Sequence, residues 1–499
     1  MQTKIGRFVL PDGTTVVGEV TMAGPQSSVV LRGDEFIAIG STLNLTGNLY
    51  DQTKITLIGC VQTGGASHTV SGEGVRTHSV TLFPHFISEG RVHLEPGRPT
   101  IREILLTFDD VTVLFCDFDA FGGILDAGPL IGGLVKHNEA QLGRKIRTGP
   151  EPAIAYFAGE RLILETESEI GRLRVQHHPS WPVGGPRGVR IDNQISIHLR
   201  PYSPLTLDEA VDRVLSLLRF IAVAVGQKQN LPQFAIDVGP GDAPQFVQVH
   251  WSDFPRGPVT SEPTKPHPAD LPLDPIRHPD EFKNVIQAWL KQDKERQIAR
   301  VRIHECMAKQ NYYSVDRLVG AANAFDLLPE SAVPASTTLS EELAAAKKQC
   351  KAVFVALPES DERESLLNAL GRLGRASLKQ KVRYRAKKIL SVVGERFPKL
   401  DWVCDRAVEC RNHFVHGSAL KFELERPSTN LGFLTDTLEF VFTASEFVEA
   451  SWDINRFLGT PTSMSHPFGS YRVRYKDGLE GLIASTTKPD ARVDAGDDT

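Results

Sequence analysis

The chain has 499 residues, of which 41% are hydrophobic and 23% are charged, and its net charge is −5. The length suggests two to four domains, and the composition is typical of globular proteins. The slightly acidic balance excludes a polycation that coats nucleic acid along its whole length.

The sequence contains no apolar run near the ~20 residues that span a bilayer. The first seven residues, MQTKIGR, lack the apolar segment of a secretory signal. We therefore expect a cytoplasmic protein without a membrane partner. The six cysteines form no C-x-x-C pair, which argues against a zinc ribbon or a thioredoxin-like redox site and favours buried, reduced thiols.

Residues 1–250 are predicted to form a β-rich domain with a sandwich or barrel-like fold, because short apolar runs recur between Gly, Pro, Asp and Asn. Residues 205–225 depart from this pattern, since their apolar spacing is helical and Thr206 with Glu209 suggests a capping box. The predicted strands are Thr14–Val20, Ser28–Leu31, Lys54–Val61, Val80–Phe86, Val111–Phe115 and Gln194–Leu199.

Eight prolines between Pro255 and Pro279 oppose both helix and central strand, so residues 251–279 are predicted to be a linker. Residues 280–460 are predicted to be an all-α domain, and residues 461–499 a partly disordered tail. The last predicted helix, 433–457, has apolar residues on every side, which indicates burial all round or a shared interface. The predicted helices are 280–295, 297–309, 314–328, 338–355, 360–370, 377–395, 401–416 and 433–457.

The clearest chemical signal is the segment Arg411–Gly417, RNHFVHG. A helix is predicted to run into it with one apolar stripe formed by Val403, Ala407, Cys410 and Phe414. Asn412 and His416 are four residues apart and share a face, and Arg411 lies about 100° round the helix beside them. Gly417 is placed to end the helix, whose negative end favours a protonated His416.

These residue types suit RNA cleavage without a metal or other cofactor, because the 2′-hydroxyl of RNA is a built-in nucleophile. An imidazole titrates near neutral pH and acts as base or acid, which is the role we assign to His416. Arg411 would bind and neutralise the phosphate, and Asn412 would orient it or the imidazole. The R-x4-H spacing alone is weak evidence, since Arg172–His177 repeats it in the β-rich half.

Arg411–Gly417 resembles the R-N-x-x-x-H motif of HEPN domains, which are helical modules of prokaryotic ribonuclease toxins and defence proteins. Further segments resemble the ApeA-like branch of that family and its preceding β-rich domain, so that the likeness covers roughly residues 5–458. These segments are Ser314–Asp326, Ser377–Val382, Gly18–Val20, Val29–Gly33, Leu43–Tyr50 and Lys54–Cys60.

The resemblance implies an abortive-infection endoribonuclease that acts on RNA, such as tRNA, as a homodimer with two motifs in one cleft. It implies catalytic roles for Arg411, Asn412 and His416, and a sensor role for the β-rich domain toward a phage-derived trigger. The chain departs from the family at Asn323, where an acidic residue is common. The alternative is a non-catalytic dimerising scaffold whose β-rich domain binds a ligand or a phage protein.

A basic helix provides the second signal, since residues 372–411 carry a net charge of +8. A predicted buried stripe includes Leu378, Val382 and Ile389 and would leave the basic side chains on the outer faces of the helix. These faces are either simply solvated or form a phosphate-binding surface. His413 is either a surface histidine or a further RNA contact. The remaining predicted RNA-binding residues are Lys379, Lys381, Arg383, Tyr384, Arg385, Lys387 and Lys388.

No residues are predicted to bind a metal. Asp117 and Asp119 precede Gly122 and would suit either a turn or a divalent cation, with the turn favoured. They support a third hypothesis, in which the β-rich domain is itself a metal-dependent or glycan hydrolase and the helices serve assembly.

Overall fold

The computed structural model describes residues 2–35, 37, 42–64, 67–70, 76–182, 186, 188–241, 243–254, 265–335, 339–420 and 427–486. The first part of the predicted linker, residues 255–264, and the end of the predicted tail, residues 487–499, lie outside these ranges. No described helix is both long enough and apolar enough to cross a membrane.

The N-terminal half is built from antiparallel strands, which confirms the β-rich prediction. The strands are β1 Gln2–Val9, β2 Thr15–Met22, β3 Ser28–Gly33, β4 Leu43–Leu49, β5 Lys54–Gln62, β6 Ser67–Val70, β7 Arg76–Phe83, β8 Phe86–Gly90, β9 Glu103–Thr107, β10 Phe121–Ile124, β11 Ile154–Phe157, β12 Leu162–Ser168, β13 Gly171–Ser180, β14 Asp192–Arg200, β15 Gln233–Asp237 and β16 Phe246–Trp251.

Six strands close into a barrel in the order β1-β2-β3-β7-β5-β4, because β5 pairs with β7 as well as with β4. Phe8 fills its interior and is fully buried. An added Cβ at Gly18 or Gly47 would come within 2.6 Å of the Phe8 ring. These two glycines therefore make room for the largest side chain of the barrel core. From β5 the sheet continues through β8, β16, β15, β9, β14 and β13 to β12.

The C-terminal half is helical, as predicted. The helices of the whole chain are α1 Val111–Leu114, α2 Gly128–Leu142, α3 Leu207–Val225, α4 Pro279–Met307, α5 Val315–Asp326, α6 Glu341–Val355, α7 Asp361–Arg372, α8 Leu378–Val393, α9 Leu400–His416, α10 Pro427–Glu449, α11 Ile454–Gly459 and α12 Pro467–Thr486.

Two compact units divide the chain: Met1–Leu218 with Gln229–Pro258 and Asp274–Lys283, and Arg219–Lys228 with Val259–Leu273 and Asn284–Thr499. The division passes through α3 and α4 rather than lying only in the proline-rich segment. The last turns of α3 belong to the second unit because Arg219 forms an ion pair there with Asp293 of α4. Phe220 packs there against Trp289.

The core of the second unit forms around α10, which is buried from Leu431 to Phe447 except at Asp436. Helices α5, α8, α9 and α12 pack against it. Its buried hydroxyls bond within the helix, as when Thr435 donates to the carbonyl of Leu431 at 2.7 Å. Of the two alternatives predicted for this helix, burial on all sides or a shared interface, the structure shows burial on all sides.

A buried network of ion pairs connects α10 to its neighbours. Glu446 accepts from Arg300 of α4 at 2.7 Å and from Arg385 of α8 at 2.7 Å, and it pairs with Arg296. Burial acts to raise the pKa of Glu446, but these three guanidinium groups lower it below its ordinary value. The network therefore keeps a buried carboxylate charged by surrounding it with cations.

Four predicted segments differ from the structure. Val111–Phe115, predicted as a strand from its short apolar run, contains the short helix α1, and Gln229 holds the preceding turn by bonds to Asp110. The helices predicted at 280–295 and 297–309 are one helix, α4. The helix predicted at 433–457 ends at Glu449, and α11 follows it.

The region assigned to a partly disordered tail contains α12, with Tyr471, Tyr475 and Leu482 buried. Its aromatic side chains pack on Phe397 and Phe440. The boundary of the helical domain at residue 460 is therefore corrected to include α12, because these aromatic residues complete the core around α10.

We expect Glu446→Gln to lower the free energy of unfolding by about 3–5 kcal/mol, because it leaves buried guanidinium groups without their shared counter-charge. Urea denaturation followed by circular dichroism measures the change. Glu305→Gln is the matched control, since Glu305 pairs with Arg302 on the surface and its loss should cost less than about 1 kcal/mol. Equal losses for both variants would contradict a central role for the network.

Candidate functional site

Helix α9 places the Arg411–Gly417 segment at its C-terminal end. Gly417 has a φ of +68° and its N–H bonds to the carbonyl of His413, so it ends the helix as predicted. Val403, Ala407 and Cys410 are buried, but Phe414 is 38% exposed. The predicted apolar stripe therefore stops at Cys410, and the last turn of α9 reaches solvent.

Arg411 is the centre of a hydrogen-bonded cluster. Its Nη1 donates to Oδ1 of Asn412 at 3.0 Å and to Nε2 of His416 at 3.1 Å. The three predicted catalytic residues are therefore brought together, and the helical spacing that predicted a shared face accounts for this.

Asn323 of α5 completes the cluster, since its Oδ1 accepts from Nη2 of Arg411 at 2.9 Å. The resemblance led us to expect an acid at this position, and the amide oxygen that stands there contacts Arg411 without adding a negative charge. The sequence analysis did not place Asn323 among the site residues. The sequence feature that could have identified Asn323 is its position as a polar residue within the run Ala321-Ala322-Asn323-Ala324, most of which is buried.

The contact with Arg411 gives a direction to the hydrogen bond at His416. A guanidinium group only donates hydrogen bonds, so Nε2 of His416 is the acceptor in this contact. The expectation that the helix end favours a protonated His416 stays a prediction.

The cluster has an uncompensated positive charge. Among the described residues, no carboxylate pairs with Arg411, and its buried Nε has no hydrogen-bond partner. By contrast, Arg317, which is nearby in sequence to Asn323, is bound by both oxygens of Glu439 at 2.8 Å. A guanidinium that is held by neutral groups retains its charge for an anion such as a phosphate.

His413 lies one turn before the end of α9, and its Nδ1 donates to the carbonyl of Ser418 at 2.7 Å. This bond closes the turn after α9 and leaves the role of an RNA contact untested. The second R-x4-H copy is on β13, where His177 is 2% exposed and Arg172 pairs with Glu167. Equal spacing on a strand therefore does not build the same cluster.

The predicted basic face of α8 is largely neutralised by acidic partners. Arg383 and Lys379 both pair with Asp405 of α9, and Lys381 bonds to Asp326 of α5 at 3.1 Å. Lys388 pairs with Glu449 at 2.9 Å and lies 4.7 Å from the centre of the Tyr384 ring. These ion pairs fix α8 against its neighbours, and they reduce the charge that the sequence count assigned to an outer surface.

Arg385 requires a correction, because the sequence analysis placed it among the RNA-binding residues. Its side chain is 0% exposed and is bound by Glu446, Glu449 and Ser445. It therefore serves the core of the helical unit. Lys387 is exposed and forms no ion pair with any described residue. The same is true of Arg372 at the end of α7 and of Arg375, three residues after it.

The weaker predicted features show ordinary structural roles. The backbone N–H of Asp119 donates to Oδ1 of Asp117 at 3.0 Å, which is the turn that the sequence analysis favoured. Across the part of the chain that the structure describes, no cluster of three His, Cys, Asp or Glu side chains is arranged to hold a metal ion.

Comparison with known families adds independent information. A family model described as ApeA N-terminal domain 1 matches residues 3–289, which is more than half of the chain. A model described as Apea-like HEPN matches residues 319–455, and this range contains both Asn323 and the Arg411–Gly417 segment. No curated protein and no solved structure gave a significant match.

At pH 8, where imidazoles are mostly neutral, we expect His416 to carry its proton on Nδ1. Arg411→Met should shift His416 toward the Nε2-protonated tautomer, because it removes the obligatory donor to Nε2. Long-range ¹H–¹⁵N NMR of histidine-labelled protein reports the tautomer. His413 is the internal control, since its bond to a carbonyl is independent of Arg411. An unchanged His416 tautomer in Arg411→Met would disprove the contact.

Proposed function

We propose, from the premise that this chain belongs to the ApeA-like HEPN family of abortive-infection effectors, that it is an endoribonuclease. Its substrate is RNA, which it cuts by attack of a 2′-hydroxyl on the neighbouring phosphate. The observation that supports the proposal is Arg411, which has no carboxylate partner among the described residues and donates to the imidazole of His416 at 3.1 Å.

Substrate binding would begin at Arg411. A phosphate competes for the guanidinium donors more strongly than a neutral imidazole does, because its bond to arginine is charge-assisted at both ends. Occupation of Nη1 by the phosphate releases Nε2 of His416. Asn323 and Asn412 keep the guanidinium in place during this exchange, since both accept from it.

The chemical step then needs one proton removed and one supplied. Nε2 of His416 takes the proton of the 2′-hydroxyl, the 2′-oxygen forms a bond to phosphorus, and the bond from phosphorus to the 5′-oxygen breaks. Arg411 stabilises the charge on the non-bridging oxygens. The products are a 2′,3′-cyclic phosphate and a 5′-hydroxyl, whose proton comes from a protonated imidazole.

A homodimer supplies that second imidazole most directly, because two copies of the chain carry two His416 side chains. HEPN domains typically dimerise, and the exposed end of α9 leaves His416 and Phe414 accessible to another copy. In this arrangement one histidine is the base and the other is the acid.

The cluster consists of one guanidinium, two amides and one imidazole, which are not a donor set for a catalytic Mg²⁺. We therefore propose cleavage without a divalent metal. The β-rich unit is proposed to restrain the activity until it meets an infection cue, such as a phage-derived molecule. tRNA is the substrate that we would examine first.

Once released from this restraint, the purified protein should cleave RNA in EDTA and leave 2′,3′-cyclic phosphate ends, and His416→Ala or Arg411→Ala should lower the rate at least about 100-fold. Denaturing gels of total RNA and tRNA, with mapping of the new ends, measure this. Arg172→Ala is the matched control, since it alters the strand-borne copy of the same spacing. Cleavage that persists in His416→Ala, or that requires Mg²⁺, would refute the mechanism.

Lys387 is the residue of α8 that we expect to contact RNA most strongly, because its charge is unpaired among the described residues. Lys387→Ala should lower RNA affinity and reduce the slope of log K against log salt by about one. Arg383→Ala should have a smaller effect, since Asp405 already neutralises Arg383. Fluorescence anisotropy at several salt concentrations, with the inactive His416→Ala background, distinguishes the two. A larger effect of Arg383→Ala would reverse this assignment.

A further inference from the structure

A cavity of about 90 Å³ lies within the helical unit, between the segment that leads into α5, the middle of α10 and the start of α12. This volume exceeds the ~15 Å³ that one water needs and falls below the ~150 Å³ of a cavity that accepts benzene. It therefore fits a head group of a few heavy atoms. None of the residues assigned to RNA cleavage lines it.

Two carboxylates and one buried guanidinium meet at the floor of this cavity. Arg317 donates two hydrogen bonds of 2.8 Å to Glu439 and one of 3.1 Å to the carbonyl of Tyr312. Asp436 lies 3.8 Å from Arg317, beyond hydrogen-bond distance. The hydrogen bonds of Arg317 to carboxylates therefore go to Glu439, and Asp436 has only a longer ion pair with this guanidinium.

Tyr313 is the neighbour that bonds to Asp436, and its hydroxyl lies 2.9 and 2.8 Å from the two carboxylate oxygens. One hydroxyl proton leaves most of the acceptor capacity of a carboxylate unused. Burial and the charge of Glu439 raise the pKa of Asp436 to about 7, against the effects of Tyr313, Arg317 and Arg474. The carboxylate of Asp436 therefore has open acceptor sites that a positively charged donor would fill.

Aromatic rings form the remaining walls, since Phe440, Phe468 and Tyr471 line the cavity and each is less than 5% exposed. Aromatic faces attract cations, and more strongly where water is excluded. A carboxylate on one side and aromatic rings on the other are the combination that recognises an organic cation.

We propose that this cavity binds a small organic cation, a guanidine or a primary amine, whose positive head group bonds to the carboxylate of Asp436. The head group would complete the acceptor capacity that Tyr313 leaves open. A longer substituent would leave through the mouth, where Arg474 lines the opening and is exposed. The assignment is independent of RNA cleavage.

Methylguanidinium chloride is the probe, and N-methylurea is its uncharged counterpart of the same shape. At pH 8 we expect methylguanidinium to bind with one site in calorimetry and to raise the melting temperature, whereas N-methylurea does neither. Asp436→Asn should abolish binding, and it should remain folded because its Oδ1 still accepts from Tyr313. Asp477→Asn, which alters an exposed carboxylate on α12, should bind like the parent.

The pH dependence of the unaltered protein gives a test that needs no variant. A carboxyl group of pKa about 7 is about 9% ionised at pH 6 and about 91% ionised at pH 8, so affinity should rise about tenfold over this interval. The other ionisable groups facing Asp436 are Tyr313, Arg317, Glu439 and Arg474. The proposal fails if methylguanidinium does not bind at 10 mM, if Asp436→Asn retains it, or if N-methylurea binds equally well.

Discussion

The helical unit depends on keeping the carboxylates of α10 charged in a core that excludes water. Glu439 and Glu446 are less than 7% exposed, and a lone buried carboxylate would cost several kcal/mol. Arginines from three other helices meet this cost: Arg317 of α5 binds Glu439, and Arg300 of α4 and Arg385 of α8 bind Glu446. Because each guanidinium has a planar fork, each pair fixes orientation as well as distance. The positions of α4, α5 and α8 around α10 follow from these contacts.

The same constraint explains what is unusual about Arg411. The arginines that hold the core are each matched with a carboxylate, whereas Arg411 is held by the amide oxygens of Asn323 and Asn412. An acidic residue at position 323 would orient Arg411 and also neutralise part of its charge. The amide contacts Arg411 without adding a negative charge. The core arginines and Arg411, which we propose binds a phosphate, thus differ in the charge of their partners.

Periodicity along the chain predicted α9, its Gly417 end and the cluster of Arg411, Asn412 and His416, because these depend on residues within a few turns of one helix. It also predicted the strands of the barrel at β2, β3 and β5. Charge counting failed on α8, where Arg385 is buried and Arg383 is paired, because the acids that bind them are on α9 and α10. The short helix α1 and the buried helix α12 were missed for a similar reason. Their stability comes from distant partners such as Gln229 and Phe397, and no local pattern reports these.

Helix α5 carries one residue at each of the two proposed sites of the helical unit. Arg317 near its start lies at the floor of the cavity, and Asn323 lies six residues further, about 9 Å along the helix axis. Both ends are held by polar contacts, to Glu439 on one side and to Arg411 on the other. Because both contacts are made by one helix, the length of α5 between Arg317 and Asn323 sets the spacing between the floor of the cavity and the residue that bonds to Arg411.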